Sequence, residues 1–104
     1  MDIQLRRGLL EICVLKVLTK GDSYGYRIVK DVSKYILISE STLYPILKRL
    51  EKNNCLKVYT EEHNSRLRKY YKITNIGLEK IEDFLKEWDE VLKVYQFIKE
   101  NDND

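Results

Sequence analysis

The apolar positions of this 104-residue chain change period twice, from helical to alternating and back, and each change marks an element. From residue 4 to 19, Leu5, Leu9, Leu10, Ile12, Cys13, Val14, Leu15, Val17 and Leu18 leave few polar positions. That predicts a helix apolar on most of its circumference, to be covered on several sides. Gly21-Asp22 stops it. A second helix is expected over about 23–35, capped by Ser23, with Tyr24, Ile28, Val29, Val32 and either Tyr35 or Ile36 inward. Gly25 costs that helix roughly 1 kcal/mol relative to alanine, which suggests close packing of one helix on another.

Residues 39–52 form the stretch around which the rest is organised. Ser39 is a good N-cap, Glu40 suits the positive end of the helix dipole, and Leu43, Ile46, Leu47 and Leu50 recur at helical spacing. Ser41, Thr42, Tyr44, Lys48, Arg49 and Lys52 fall mainly on the other side. Hydroxyls and a tyrosine can reach base edges or phosphates, and cations can neutralise phosphates. An ordinary amphipathic helix with a solvated basic face has the same pattern. Pro45 removes one backbone donor, so a kink or an irregular first turn is expected there. Asn53-Asn54 ends the helix, because asparagine tolerates the left-handed conformation.

The period then falls to two. Leu56, Val58 and Thr60 alternate with Lys57, Tyr59 and Glu61; after a break at Glu62–Leu67, Arg-Lys-Tyr-Tyr-Lys-Ile resumes at 68. A β-hairpin with its tip at His63–Arg66 follows, with one of Tyr70 and Tyr71 in the core and the other exposed. A helix-turn-helix followed directly by a hairpin is a winged helix. The fold class expected is therefore mainly α with a small β-hairpin: a winged helix-turn-helix at 1–73, then a long C-terminal helix and acidic tail at 74–104, in one compact unit. In that last helix, capped by Thr74, the residues Leu78, Ile81, Leu85, Trp88, Leu92 and Tyr95 keep a heptad seam, widened by Phe84, Val91 and Ile98. A stripe that wide exceeds what one small domain can cover. It predicts a twofold dimer through Leu9, Ile12, Ile81, Leu85, Trp88, Leu92 and Tyr95. The final Glu-Asn-Asp-Asn-Asp is expected to fray.

Charge sharpens this picture. The net value of +2 conceals 15 Lys/Arg against 8 Asp/Glu in residues 1–73, and 4 against 9 in the remainder. A basic body with an acidic last helix can turn only one side to a polyanion. Arg66, Arg68, Lys69 and Lys72 form the densest basic cluster. Cys13 and Cys55 have no metal spacing and read as reduced, buried thiols, and His63 has no second ligand nearby. No catalytic triad, phosphate-binding loop or dinucleotide fingerprint is present, so no enzyme and no cofactor are expected. The absence of a signal-peptide pattern and of a long apolar run sets a cytoplasmic expectation.

Leu5-Arg6-Arg7-Gly8-Leu9-Leu10-Glu11, Tyr24-Gly25-Tyr26, Ser41-Thr42-Leu43-Tyr44-Pro45 with Lys48-Arg49-Leu50-Glu51, and Arg68-Lys69-Tyr70-Tyr71 with Ile73-Thr74 and Gly77 stand in one order and spacing. Together they resemble the PadR family of bacterial transcriptional regulators, from about Leu5 to Ile98. The resemblance implies a dimeric winged helix, usually a repressor, on a roughly palindromic double-stranded DNA operator. It puts the helix 39–52 in the major groove, with Ser41, Thr42, Tyr44 and Lys48 on the DNA. The wing, with Arg66, Arg68 and Lys69, would follow the flanking backbone or minor groove. Wing tips in the family are often glycine-rich, and this one is not. Short drug-sensing members carry a tryptophan on the last helix, and Trp88 is similar in position. Trp88, Ile12, Lys16 and Val91, with Leu92, would then wall a site for an aromatic small-molecule effector; the alternative is that Trp88 simply fills the interface. A winged-helix protein-interaction module without specific DNA binding is the competing functional reading.

Overall fold

A computed structural model describes residues 1–101; the acidic residues 102–104, and the fraying expected of them, lie outside the described part. The order is α1 (Ile3–Leu18), α2 (Gly25–Val32), α3 (Glu40–Lys52), β1 (Leu56–His63), β2 (Arg66–Ile73) and α4 (Asn75–Lys99). This is the winged helix-turn-helix with a long last helix that the pattern predicts.

The caps explain several boundaries. Asp2 accepts the Leu5 N–H at 3.1 Å and starts α1. Ser39 accepts the Thr42 N–H at 3.3 Å and starts α3, as expected. Thr74 accepts the Gly77 N–H at 3.1 Å and starts α4. Asn54, at φ 63°, supplies the left-handed residue after α3. Despite Pro45, α3 runs unbroken over 13 residues. The proline and Ser41, whose carbonyl loses its i+4 donor, are both exposed, so water can take the free carbonyl.

Ser23 is not the cap of α2. Tyr24 occupies the N-cap position, and its side chain makes no capping bond. Ser23 instead pairs with Tyr71 as a short bridge at the edge of β2, its N–H donating at 3.2 Å and its carbonyl accepting at 2.7 Å. The backbone of residue 23 is thus committed to the sheet before the helix can begin; α2 starts at Gly25 and ends at Val32, 8 residues in all. Of the two candidate inward residues after α2, Ile36 packs on the core and Tyr35 is exposed.

The core lies where α1, α2 and α3 meet the base of the hairpin. Val14, Leu15, Ile28, Val32, Leu43 and Leu50 are fully enclosed, with Leu56 and Tyr71 closing the sheet side. Each such aliphatic side chain contributes roughly 1.5–3 kcal/mol by leaving water. Cys55 is buried in this core and Cys13 is half-buried. Burial pushes both thiols up; for Cys55, Glu11 adds to the rise and Lys80 opposes it.

The hairpin is longer than the periodicity indicates. Its register is unbroken from Leu56 opposite Ile73 to His63 opposite Arg66. The turn is the two residues Asn64 and Ser65, both at positive φ (50° and 64°), which matches the twist of the strands. The expected break at Glu62–Leu67 narrows to that two-residue turn. The outer half of a wing buries neither face, so its residues carry no hydrophobic alternation.

Helix α4 packs only its beginning. Gly77 and Ile81 are its buried residues, while Leu85, Leu92 and Tyr95 are 51%, 49% and 50% exposed. The molecule is 71 Å in its longest dimension and 26 and 21 Å in the others, because this 25-residue helix runs on past the core.

Candidate nucleic-acid interface

Helix α3 presents a small hydroxyl cluster at its exposed N-terminus. Ser39 Oγ lies 3.0 Å from Ser41 Oγ and donates to Thr42 Oγ1 at 3.1 Å. These bonds hold Ser41 and Thr42 in fixed positions while leaving both exposed. One turn on, Tyr44 is 47% exposed, and a further turn on Lys48 is exposed. The predicted α3 face is therefore assembled, with one change. Arg49 turns away from it and joins Glu11 of α1, Nε to Oε1 at 2.9 Å, with 29% and 15% of the two side chains exposed. Arg49 belongs to the α1–α3 packing, not to the solvated basic face. The two residues are 38 apart in the chain, so no local pattern could pair them.

Tyr44 is placed by Gly25. A methyl group at Gly25 would stand 2.4 Å from the Tyr44 hydroxyl oxygen, so the phenol end lies directly on the start of α2. The close packing expected at Gly25 is thus a contact with the exposed aromatic of α3. A groove of about 630 Å³ opens between this corner and the wing, lined among others by Tyr24, Tyr26, Tyr44, Arg66, Leu67 and Lys69. Leu67 is an exposed apolar residue near the wing tip.

The wing is tied to the start of α2 by an aromatic cluster that periodicity does not reveal. Tyr59 and Tyr70, opposite each other in register, stack with centroids 5.6 Å apart and planes at 13°. Tyr24 meets Tyr70 edge-on at 5.7 Å, and the Arg68 guanidinium lies 3.9 Å over the Tyr24 ring. The Tyr59 hydroxyl donates to Asp22 Oδ2 at 2.6 Å. That bond, with desolvation and the charges of Asp22 and Glu61, pushes the Tyr59 phenol up to about 12. Arg66 and Lys69 are exposed, whereas Arg68 is half-buried. Tyr71 is the core tyrosine as expected, whereas Tyr70 is half-buried between Tyr24 and Tyr59 rather than exposed.

The second group of predicted residues lies elsewhere. Leu9 and Ile12 are half-buried on α1; Ile81 is buried; Leu85, Val91, Leu92 and Tyr95 are exposed on α4. Trp88 is half-buried, its ring 5.9 Å from Phe84. Lys16 shares a groove of about 480 Å³ with Glu79, Glu82, Asp83 and Lys86, so acidic neighbours offset its charge. No cluster of metal-ligating side chains occurs among the described residues, and no described helix is long and apolar enough to cross a membrane.

Three packed helices, a hairpin directly after them and an exposed polar face on α3 define the chain as a winged helix-turn-helix protein. Residues 14–83 match the family described as the Transcriptional regulator PadR-like family, and the chain belongs to that family. The family is one of transcriptional regulators rather than enzymes. Among solved structures, the chain is similar to a PadR family transcriptional regulator from Eggerthella lenta (33% identity, 96% of this chain and 89% of that one, TM-score 0.85). It is similar also to a PadR family regulator from Clostridium difficile (36% identity, 86% and 97%, TM-score 0.76). A third similar structure is Bacillus subtilis PadR in complex with operator DNA (26% identity, 74% of this chain and 46% of that one, TM-score 0.68).

Proposed function

We propose that this regulator acts as a homodimer that binds a palindromic double-stranded operator and represses its own or a neighbouring operon, in the cytoplasm. The carrying observation is the α3 face. Ser41, Thr42 and Tyr44 are fixed in place yet exposed, with Lys48 behind them and the Arg66 and Lys69 cations across one groove. Hydroxyls and the phenol supply base or phosphate contacts; the cations supply the sequence-independent attraction. The operator complex of Bacillus subtilis PadR supports the assignment of DNA as partner. Residues 1–73 then form the DNA-binding unit and 74–104 the dimerisation helix and tail.

The dimer reading rests on Leu85, Trp88, Leu92 and Tyr95, with Leu9, Ile12 and Ile81 adjoining. Four large side chains left half-covered along one seam are the signature of an interface. A planar aromatic effector stacking between two Trp88 rings, walled by Ile12, Lys16 and Val91, would release the operator. It can do so only by favouring one separation of the two α3 helices over another.

The test is a fluorescence-anisotropy titration of the protein's own upstream duplex against a shuffled duplex of equal length at near-physiological salt. Preference for the native duplex by several kcal/mol is expected. Equal, weak binding to both, abolished by generic DNA, would favour the protein-interaction alternative.

A further inference from the structure

The four basic residues of β2 are not equivalent. Residues 66, 68 and 70 point to one side of the strand and 67, 69 and 71 to the other. Tyr71 is buried in the core, so Lys69 lies on the face that continues the core towards α3. Arg68 shares its side with Tyr70 and is stacked on Tyr24 at 3.9 Å. Arg68 therefore faces an acid, Glu61, across the ladder and lies over an aromatic ring; Lys69 faces Thr60 and Arg66 faces His63.

Resting on the DNA-binding reading above, we propose that Arg68 is a positioning residue, not a phosphate ligand. With Tyr24, Tyr70, Tyr59 and Asp22 it forms a brace that fixes the wing against the recognition helix, while Arg66 and Lys69 carry the wing's phosphate contacts. The chain of contact is continuous. The stacked pair Tyr59–Tyr70 and the Arg68 guanidinium meet Tyr24; Tyr24 is joined to Gly25; and Gly25 is in contact with Tyr44 of α3. The Asp22 carboxylate anchors the far end through the Tyr59 hydroxyl. A two-stranded hairpin has little stability of its own, and the outer half of this one buries neither face, so its inclination must be set by such a cluster.

Arginine and lysine separate the two roles, because lysine keeps the charge but not the planar stack. Arg68→Lys, Tyr70→Leu and the double variant are compared with the wild type in the full-length protein. One measurement is hydrogen exchange of the β1–β2 amides without DNA. The other is binding to the upstream duplex across a salt series.

The brace predicts faster exchange in the hairpin for either single variant. It also predicts roughly five- to tenfold weaker operator binding in each, about the same loss in the double variant, and an unchanged slope of log affinity against log salt. Full affinity in Arg68→Lys with wild-type exchange protection would overturn it and make Arg68 a plain phosphate cation. If wild-type protein shows no preference for any duplex, the DNA reading fails instead. The exchange measurement then decides the brace alone: unchanged protection in both single variants refutes it.

Discussion

Gly25→Ala separates the stability of this fold from its use. The added methyl would lie 2.4 Å from the Tyr44 hydroxyl oxygen and 3.0 Å from the adjacent ring carbon. Ordinary contact begins near 3.4 Å, so the phenol end must move by about 1 Å. It can move, because Tyr44 is 47% exposed. An off-rotamer ring costs about 0.5–1.5 kcal/mol. Replacing a helical glycine by alanine returns about 0.5–1 kcal/mol. The two nearly cancel, and thermal melting should shift by no more than a few degrees. Operator binding should not be spared. A displaced base or phosphate contact costs about 1–3 kcal/mol, so affinity should fall about fivefold or more. In a Tyr44→Ala background the same glycine change should have almost no further effect, since the two residues act through one contact. Anisotropy titration and thermal denaturation of the four proteins decide the matter. Wild-type affinity in Gly25→Ala would refute the placement of Tyr44 on DNA. A large loss of stability would refute the claim that the ring can yield.

Other glycine sites and aromatic groups give contrasting expectations. Gly77→Ala puts a methyl 2.6 Å from the Cys55 carbonyl oxygen and 2.7 Å from Ile73 Cγ1, where backbone cannot yield, so it should destabilise by about 1–3 kcal/mol and lower the melting midpoint by several degrees. Trp88→Ala should loosen the dimer by roughly 3–5 kcal/mol if two copies enclose the indole, as sedimentation velocity over a dilution series would read; an equally tight dimer would place Trp88 at a cavity or in solvent. The Tyr59 phenol, raised from 10.0 to about 12, is disfavoured as the anion in the folded chain, so the stability it contributes is complete below pH 10 and lost as pH rises through about 12. An ultraviolet titration should show a late tyrosine step that disappears in Tyr59→Phe.

The parts of the fold that were legible in the sequence are those fixed by local chemistry. Ser39 and Thr74 cap the helices they precede, Asn54 ends α3, and the stripes of α1, α3 and the start of α4 face the core. What could not be read locally depends on partners distant in the chain. Ser23 looks like a cap until Tyr71 claims its backbone. Arg49 looks like a surface cation until Glu11 meets it. Arg68 looks like one of four equal wing charges until Tyr24 lies beneath it. The outer end of the hairpin escapes the periodicity for the opposite reason: Glu62, His63 and Arg66 bury nothing, so their strand conformation leaves no hydrophobic trace. On the α3 face the exposed members, Ser41, Thr42, Tyr44 and Lys48, stand where helical spacing puts them.

The central claim, a dimer presenting two copies of α3 to one DNA duplex, is tested most directly by footprinting the protein on its own upstream DNA. Two protected major-groove patches are expected, centred about one helical turn apart, roughly 34 Å or 10 base pairs, with flanking backbone protection beyond them from the wings. A single patch, or protection that drifts uniformly along the duplex and vanishes with modest salt, would contradict the account.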